Sequence, residues 1–591
     1  MKKSLILFVA LAALIAIVAG CGSSPGTPGG RRAGGWVFNP RPYTSPYGRD
    51  ATGYNGVVAS AKPEASDIGL DILLRGGNAV DAAIAVGFAL GVAEPNANGL
   101  GGGGFMMIKL VDMDEAVFID FREIAPGNST TSMYLGPDGN TVMFPGTNSR
   151  THVVGGLAAG TPGEVAGLLY ALENYGSGRF SRRDLIQPSI DLARNGFIVT
   201  ESFHGAIVDN IDKINRFPAT AEIYTDFGLP WEVGDILRNP DLAYTLDLIA
   251  QYGYDGFYRG PVAEAIVSAV AEAGGIITLS DLANYQTQGL RVSAPVTGTY
   301  RDHIIISAPP PSSGGTHVIQ ILNMLENMDR SELVHGDPRA VNAWIHALRF
   351  AFADRGAYMA DTQFANVPLV GLSNKVYARE LFELFDLDTA LISATANDPF
   401  RYESGSTTSY SIIDSAGNIV TVTKTINYFF GGGVGVPGFG FIMNNEMDDF
   451  VPNNPNHPNA PEPFKKPLSS MTPTIVLDPQ GRPFLTLGSP GATRIIGTMA
   501  QVISNVIDNN MSLQEAIDVP RWFTMASGAV SLEGRHPDSL AEALRTLGYD
   551  VQIRLPWDAW FGGVHGVLLD HNTGRMYGAA DSRRDGQARA Y

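Results

Sequence analysis

The sequence predicts an α+β fold in which sheets are covered by helices. Three observations point there. TTSYSII (407–413) and NIVTVTKTI (418–426) alternate, are rich in β-branched and aromatic residues, and flank a short polar turn, which is a hairpin signal. More strand patterns follow at 475–478, 483–488, 564–570 and 576–581, interleaved with helical patterns at 495–508, 513–519 and 538–547. Upstream, 63–93 and 341–359 carry helical periodicity. Strand hairpins followed by helices bury their apolar faces best as layers.

Taken in order, the chain opens on a leader. Lys2 and Lys3 precede an apolar run from Leu5 to Val18, and Val18-Ala19-Gly20-Cys21 resembles the lipobox of bacterial lipoproteins. The expected organisation is a signal peptide over 1–20, a lipidated Cys21 and a flexible tether over 21–35. Cys21 is the only cysteine, which excludes disulfides and suits a dedicated use. An uncleaved anchor helix is the alternative, but about 17 apolar residues is marginal for a span. The expected location is the cell envelope, with the membrane reached through the lipid anchor only.

Pro63 opens a helix that Gly76-Gly77 breaks, and Asn78 can cap a second, AVDAAIAVGFALGVAE, apolar nearly all round and hence buried. LGGGGFMMIKLVD (100–112) reads as a glycine loop running into a strand, and 236–295 as helical stretches interrupted by GGIIT. The 591-residue length alone suggests about three or four domains. With 45% hydrophobic residues the chain is globular, and its net charge of −18 disfavours nucleic acid and anionic membrane surfaces as partners.

Several chemistries are excluded. GSSPG (22–26) fits a nucleophile elbow but sits in the tether without strand or helix. Gly101–Gly104 lacks the Lys-Ser/Thr of a phosphate loop and leads into a strand. There is no H-E-x-x-H and no cysteine pair, so a zinc site is not expected.

The hairpin has a consequence. Thr407 and Thr425 are equidistant from residue 416, inside the turn, so an antiparallel register sets them opposite one another. Threonine pairs are common in ordinary sheets, and on this ground alone a structural role is the better reading. Other groups change the balance. Glu446, Asp448 and Asp449 lie together, PLSSM supplies Ser469 and Ser470, GSPGAT (488–493) supplies turn N–H groups, and DFREIAP places Arg122 among carboxylates. An arginine and hydroxyls suit an α-carboxylate, acids suit an α-ammonium, and N–H donors suit an oxyanion.

These residues resemble the γ-glutamyltranspeptidase (glutathione hydrolase) family of the N-terminal nucleophile superfamily. GGNAVDAAIA (76–85), GLGGGGFM (99–106), DFREIAP, PGEVAG (162–167), PPPSSGG (309–315), FADR (352–355), TTSYS, NNEMDDF, KKPLSSMTPTIV and GSPGATRI carry the resemblance. It implies a four-layer αββα sandwich formed by two subunits from one autocleaved precursor. Cleavage between Ser406 and Thr407 would give a large subunit (36–406) and a small catalytic subunit (407–591), held as a heterodimer. Thr407 would attack the γ-amide of glutathione or another γ-glutamyl compound. The γ-glutamyl ester would then pass to water or to an amino-acid or peptide acceptor. By position, Thr425 would orient the nucleophile. Arg122, Ser469 and Ser470 would hold the α-carboxylate. Asn427, Glu446 and Asp449 would hold the ammonium, and the N–H groups of Gly491 and Ala492 the oxyanion. No metal or organic cofactor is implied.

Two departures stand out. The family often has histidine where this chain has Ser409, and Gly-Gly where it has Gly491-Ala492. The alternatives are a related glutaryl or cephalosporin acylase, disfavoured by the retained ammonium-binding set, and a lipoprotein that only binds γ-glutamyl peptides.

Overall fold

In the computed structural model, which describes residues 38–395 and 407–591, the predicted hairpin forms as strands Thr408–Asp414 and Ile419–Thr425. Its turn is organised by Asp414, whose Oδ1 accepts the N–H groups of Ala416 and Asn418, each at 3.0 Å. Gly417 takes the left-handed φ of 89° that the reversal needs. Asp414 Oδ2 accepts the N–H of Ala79 at 2.9 Å, which fastens the turn to the start of helix Ala79–Ala93. The ladder pairs Thr408 with Lys424 and Ser409 with Thr423, so its next step sets Thr407 opposite Thr425, as the turn midpoint predicts.

This hairpin is the centre of a seven-stranded sheet. Its order is Gln587–Ala590, Gly56–Ser60, Thr408–Asp414, Ile419–Thr425, Gly103–Lys109, Val117–Asp120, Arg291–Ser293, antiparallel throughout. A second antiparallel sheet of seven runs Ala51–Gly53, Arg575–Ala580, His565–Asp570, Pro483–Gly488, Thr474–Leu477, His303–Ser307, Val296–Tyr300.

Side chains alternate between the two faces of a strand, and here that alternation builds the layers. Ser409 and Ser411 point to the second sheet, where Ser411 Oγ donates to the His565 carbonyl at 3.0 Å. Tyr410 points the other way and donates to the Ala83 carbonyl in helix Ala79–Ala93. That helix is buried along its whole length and starts in a capping box between Asn78 and Asp81. Helices Gly314–Leu325, Arg494–Ile507 and Leu513–Asp518 cover the second sheet. The outcome is helix, sheet, sheet, helix, the expected αββα sandwich.

The glycine run acquires a reason. A Cβ at Gly101 would lie 2.1 Å from the Ile442 carbonyl oxygen and one at Gly102 2.1 Å from that of Thr425. The run lets backbones close in beneath the end of strand Ile419–Thr425. Two expectations need correction. The length-based expectation of about three or four domains fails, because residues 38–591 form one compact unit built around two face-to-face sheets. The helical reading of 236–295 also runs too far, since Arg291–Ser293 is an edge strand beside Val117–Asp120. The signal peptide, Cys21, the tether and Ser406 lie outside the described residues. Among the described residues, no helix is long and apolar enough to cross a membrane.

Candidate active site

The nucleophile candidate sits where the central hairpin ends. Thr407 and Thr425 line one cavity with Arg122, Asn427, Glu446, Asp449, Ser469, Ser470, Met471, Ala492 and Ile495. The structure thus gathers into one cavity every substrate-binding residue expected from the sequence, though Arg122 and Glu446 lie 324 positions apart. Gly491 adjoins Ala492 at its edge. Met471 and Ile495, the apolar part of the wall, were not anticipated.

Thr425 Oγ1 accepts the N–H of Asn427 at 2.8 Å. Asn427, with φ of 71°, turns the chain sharply after the strand, and its Nδ2 donates to the Asn445 carbonyl at 3.0 Å. That leaves Asn427 Oδ1 as an acceptor.

Arg122 is buried and departs from the expected division of labour. Nη1 binds Glu446 and Nη2 binds Asp449, while Nε and Nη2 also donate to the carbonyls of Pro467 and Leu468 at 2.8 and 2.9 Å. One Nη1 hydrogen remains for a ligand. Arg122 therefore holds the two carboxylates in place at least as much as it can hold a substrate anion. Burial pushes the Glu446 carboxyl up, with Arg122 opposing, and Glu446 Oε2 has no donor among the described residues. Behind it lies Glu123, which sequence reasoning missed. Burial and the neighbouring Glu446 push its carboxyl well above the carboxylate range.

The two serines are set up as donors. Ser469 Oγ accepts the Met471 N–H at 3.1 Å, and Ser470 Oγ accepts from Arg355 Nη2 at 3.0 Å. A hydroxyl has one hydrogen. Neither hydroxyl donates to a group among the described residues, so both hydrogens are available to an anion in the cavity.

Gly491 and Ala492 precede helix Arg494–Ile507, whose N-terminal dipole favours negative charge. Their N–H groups meet no acceptor among the described residues. Gly491 has φ of 129°, and a Cβ there would lie 3.1 Å from Gly562 Cα. Ala492 has φ of 51°, the left-handed region that costs a non-glycine residue about 1 kcal/mol. An alanine here keeps the N–H and accepts that strain. Gly563 N–H donates to Ser489 Oγ at 3.2 Å, so the 559–563 loop supports the turn from behind. At the other departure, Ser409 Oγ lies 2.9 Å from Nδ1 of His565, whose pKa burial lowers to about 3. A neutral histidine thus reaches this spot from the second sheet.

The cavity suits an acyl group carrying an α-amino acid: hydroxyl donors for its carboxylate, carboxylates for its ammonium, and N–H groups for an oxyanion. The gamma-glutamyltranspeptidase family model matches residues 65–591. The glutathione hydrolase proenzyme of Escherichia coli (strain K12) is 39% identical over 547 residues, 89% of this chain and 90% of that one. The Acylase ACY 1 proenzyme of Pseudomonas sp. (strain SE83) is 40% identical over 538 residues, covering 91% and 94%. Among solved structures, the cephalosporin acylase from Bacillus halodurans aligns at a TM-score of 0.83 and 27% identity, over 94% of this chain and 99% of that one.

Proposed function

The chain belongs to the γ-glutamyltranspeptidase family and is a γ-glutamyl transferase and hydrolase; we propose that Thr407 is its nucleophile, freed by cleavage of the Ser406–Thr407 bond. The observation that carries the assignment is the cavity that Thr407 lines together with α-amino-acid-binding groups and with Ala492, next to Gly491. In the precursor the Thr407 hydroxyl attacks the Ser406 carbonyl, and water hydrolyses the resulting ester. This leaves a large subunit (36–406) and a small one (407–591). The freed α-amine, with an ordinary pKa of about 7.7–8.0, then serves as base. Thr407 Oγ attacks the γ-glutamyl amide carbon as its proton passes to the amine. Gly491 and Ala492 N–H groups hold the oxyanion. The amine returns the proton to the leaving nitrogen, and the γ-glutamyl ester passes to water or to an acceptor amine.

Identity alone does not separate glutamyl from acylase chemistry, since relatives of both names are near 40%. The ammonium set favours glutamyl donors. Glu446 Oε2 is buried without a donor, and a glutaryl group has no amine to offer it. A site built to bind a missing group discriminates strongly, so γ-glutamyl p-nitroanilide should exceed glutaryl p-nitroanilide in kcat/KM by about 100-fold or more. Equal rates would favour the acylase reading.

We place the acceptor in a neighbouring cavity of about 220 Å³ lined in part by Glu94, Asn96, Phe203, Phe429 and Arg584. The segment 427–429 reaches both cavities, since Asn427 lines one and Phe429 the other. The Arg584 guanidinium makes no hydrogen bond or ion pair among the described residues, and it lies 6.0 Å from the Phe429 ring. Glu94 Oε2 and Asn96 Oδ1 are buried without partners. A cation and two acceptors suit the carboxylate and amine of an amino acid or dipeptide. Arg584→Gln should raise the KM for glycylglycine about 10-fold or more and leave hydrolysis intact, the scale of one lost charge-assisted bond. An unchanged acceptor KM would refute this placement.

For location, the proposal is removal of 1–20 and lipidation of Cys21, with 21–35 as tether. Cys21→Ser should move the protein from the membrane to the soluble fraction of the envelope. Identical fractionation would refute the anchor.

A further inference from the structure

Two segments that match the family, PPPSSGG and FADR, supply no group to the reacting atoms. Both meet behind the cavity. The 309–315 segment runs beside 467–471, with a bridge between Ser312 and Ser469, and Ser469 N–H donates to the Pro311 carbonyl at 2.9 Å. The fit is tight, since a Cβ at Gly314 would lie 1.7 Å from Thr472 Oγ1. Arg355, in helix Pro338–Tyr358, reaches this junction while fully buried. Its Nε donates to Ser313 Oγ at 2.8 Å, and Ser313 Oγ donates onward to the Ser469 carbonyl at 2.7 Å. Its Nη2 donates to Ser470 Oγ at 3.0 Å.

We propose that Arg355 is a positioning residue for the donor's α-carboxylate, acting through Ser470 and, by way of Ser313, through Ser469. The argument is one of hydrogen-bond direction. A guanidinium only donates, so Ser470 Oγ must accept from it, and the serine hydrogen is turned away from Arg355. The remaining acceptor is a ligand in the cavity that Ser470 lines. The positive charge also polarises the hydroxyl and strengthens its bond to an anion. The need for such help follows from Arg122, whose hydrogens are all used but one. The α-carboxylate is therefore selected largely by the Arg355–serine relay.

The inference rests on assigning this cavity to the γ-glutamyl group. The test compares γ-glutamyl p-nitroanilide with 4-aminobutyryl p-nitroanilide, the same donor without its α-carboxylate, on processed enzyme. Arg355→Lys keeps the charge but cannot reach both serines. It should raise KM for the γ-glutamyl donor about 10-fold with kcat little changed, and leave kcat/KM for the 4-aminobutyryl donor unaltered. Ser470→Ala should do the same, and the double variant should lose less than the sum of the two single losses, since one arm is shared. Equal losses on both donors, or additive losses in the double variant, would overturn the inference. If Arg355→Lys fails to fold, Ser313→Ala breaks the other arm of the relay. It should raise KM for the γ-glutamyl donor alone; equal losses on both donors, or no change, would overturn the inference. Wild-type enzyme that treats the two donors alike would instead refute the cavity's assignment.

Discussion

Thr407→Ala is expected to leave the chain whole and without activity. The wild-type chain, 63.0 kDa as translated, should yield two fragments on a denaturing gel, the smaller beginning at Thr407 by N-terminal sequencing. Both effects follow from one atom. The Thr407 hydroxyl is the group proposed to cut the chain, and the same hydroxyl carries the acyl group afterwards. Its loss should cost about 10⁴-fold or more in kcat, the scale of removing a nucleophile. Thr407→Ser keeps a hydroxyl and should still cleave, with turnover reduced rather than lost. Two measurements decide the matter: band pattern, and release of p-nitroaniline. An uncleaved wild-type chain without activity would favour the binding-lipoprotein alternative. A cleaved Thr407→Ala chain would show that another group performs the cut.

How much of this was legible follows from how far apart the participants lie. The hairpin was readable because a period of two and a local turn fix both face and register. The opposition of Thr407 and Thr425 could be read from their midpoint. Helix Ala79–Ala93 was readable because its side chains are apolar on all sides and Asn78 caps it. The edge strands Ala51–Gly53 and Gln587–Ala590 were not, because each is short and is defined by partners from the other end of the chain. The cavity's membership came only through the family resemblance, since no local pattern brings Arg122 to Glu446. Glu123 and Arg355 escaped altogether. A buried carboxyl beside an arginine, or an arginine in a helix, has no signature in sequence until its neighbours are placed. Nor could sequence count the hydrogens that Arg122 has already committed.

That count makes Arg122→Met the most damaging change expected outside the nucleophile. Removing the guanidinium takes from Glu446 and Asp449 the cation they share, beside a Glu123 whose carboxyl burial already pushes well up. Breaking a buried ion pair from one side costs about 3–5 kcal/mol, so the denaturant midpoint should fall sharply. The carbonyls of Pro467 and Leu468 lose their donors too, which loosens the turn that leads to Ser469 and Ser470. Function should fail for a separate reason. Glu446 must be ionised to receive an ammonium, and its carboxyl is already raised by burial with Arg122 pulling it down. Without Arg122 it rises further, which favours the neutral acid over the carboxylate that an ammonium needs. The donor KM of the variant should therefore fall as pH rises from 6 to 9, while that of the wild type changes less over the same range. Arg122→Lys retains a charge but loses the fork that spans both acids, and should fall between the two. Unfolding curves and KM at several pH values separate the effects. A Met variant with wild-type KM at pH 7 would show that the acids do not depend on Arg122 for their charge.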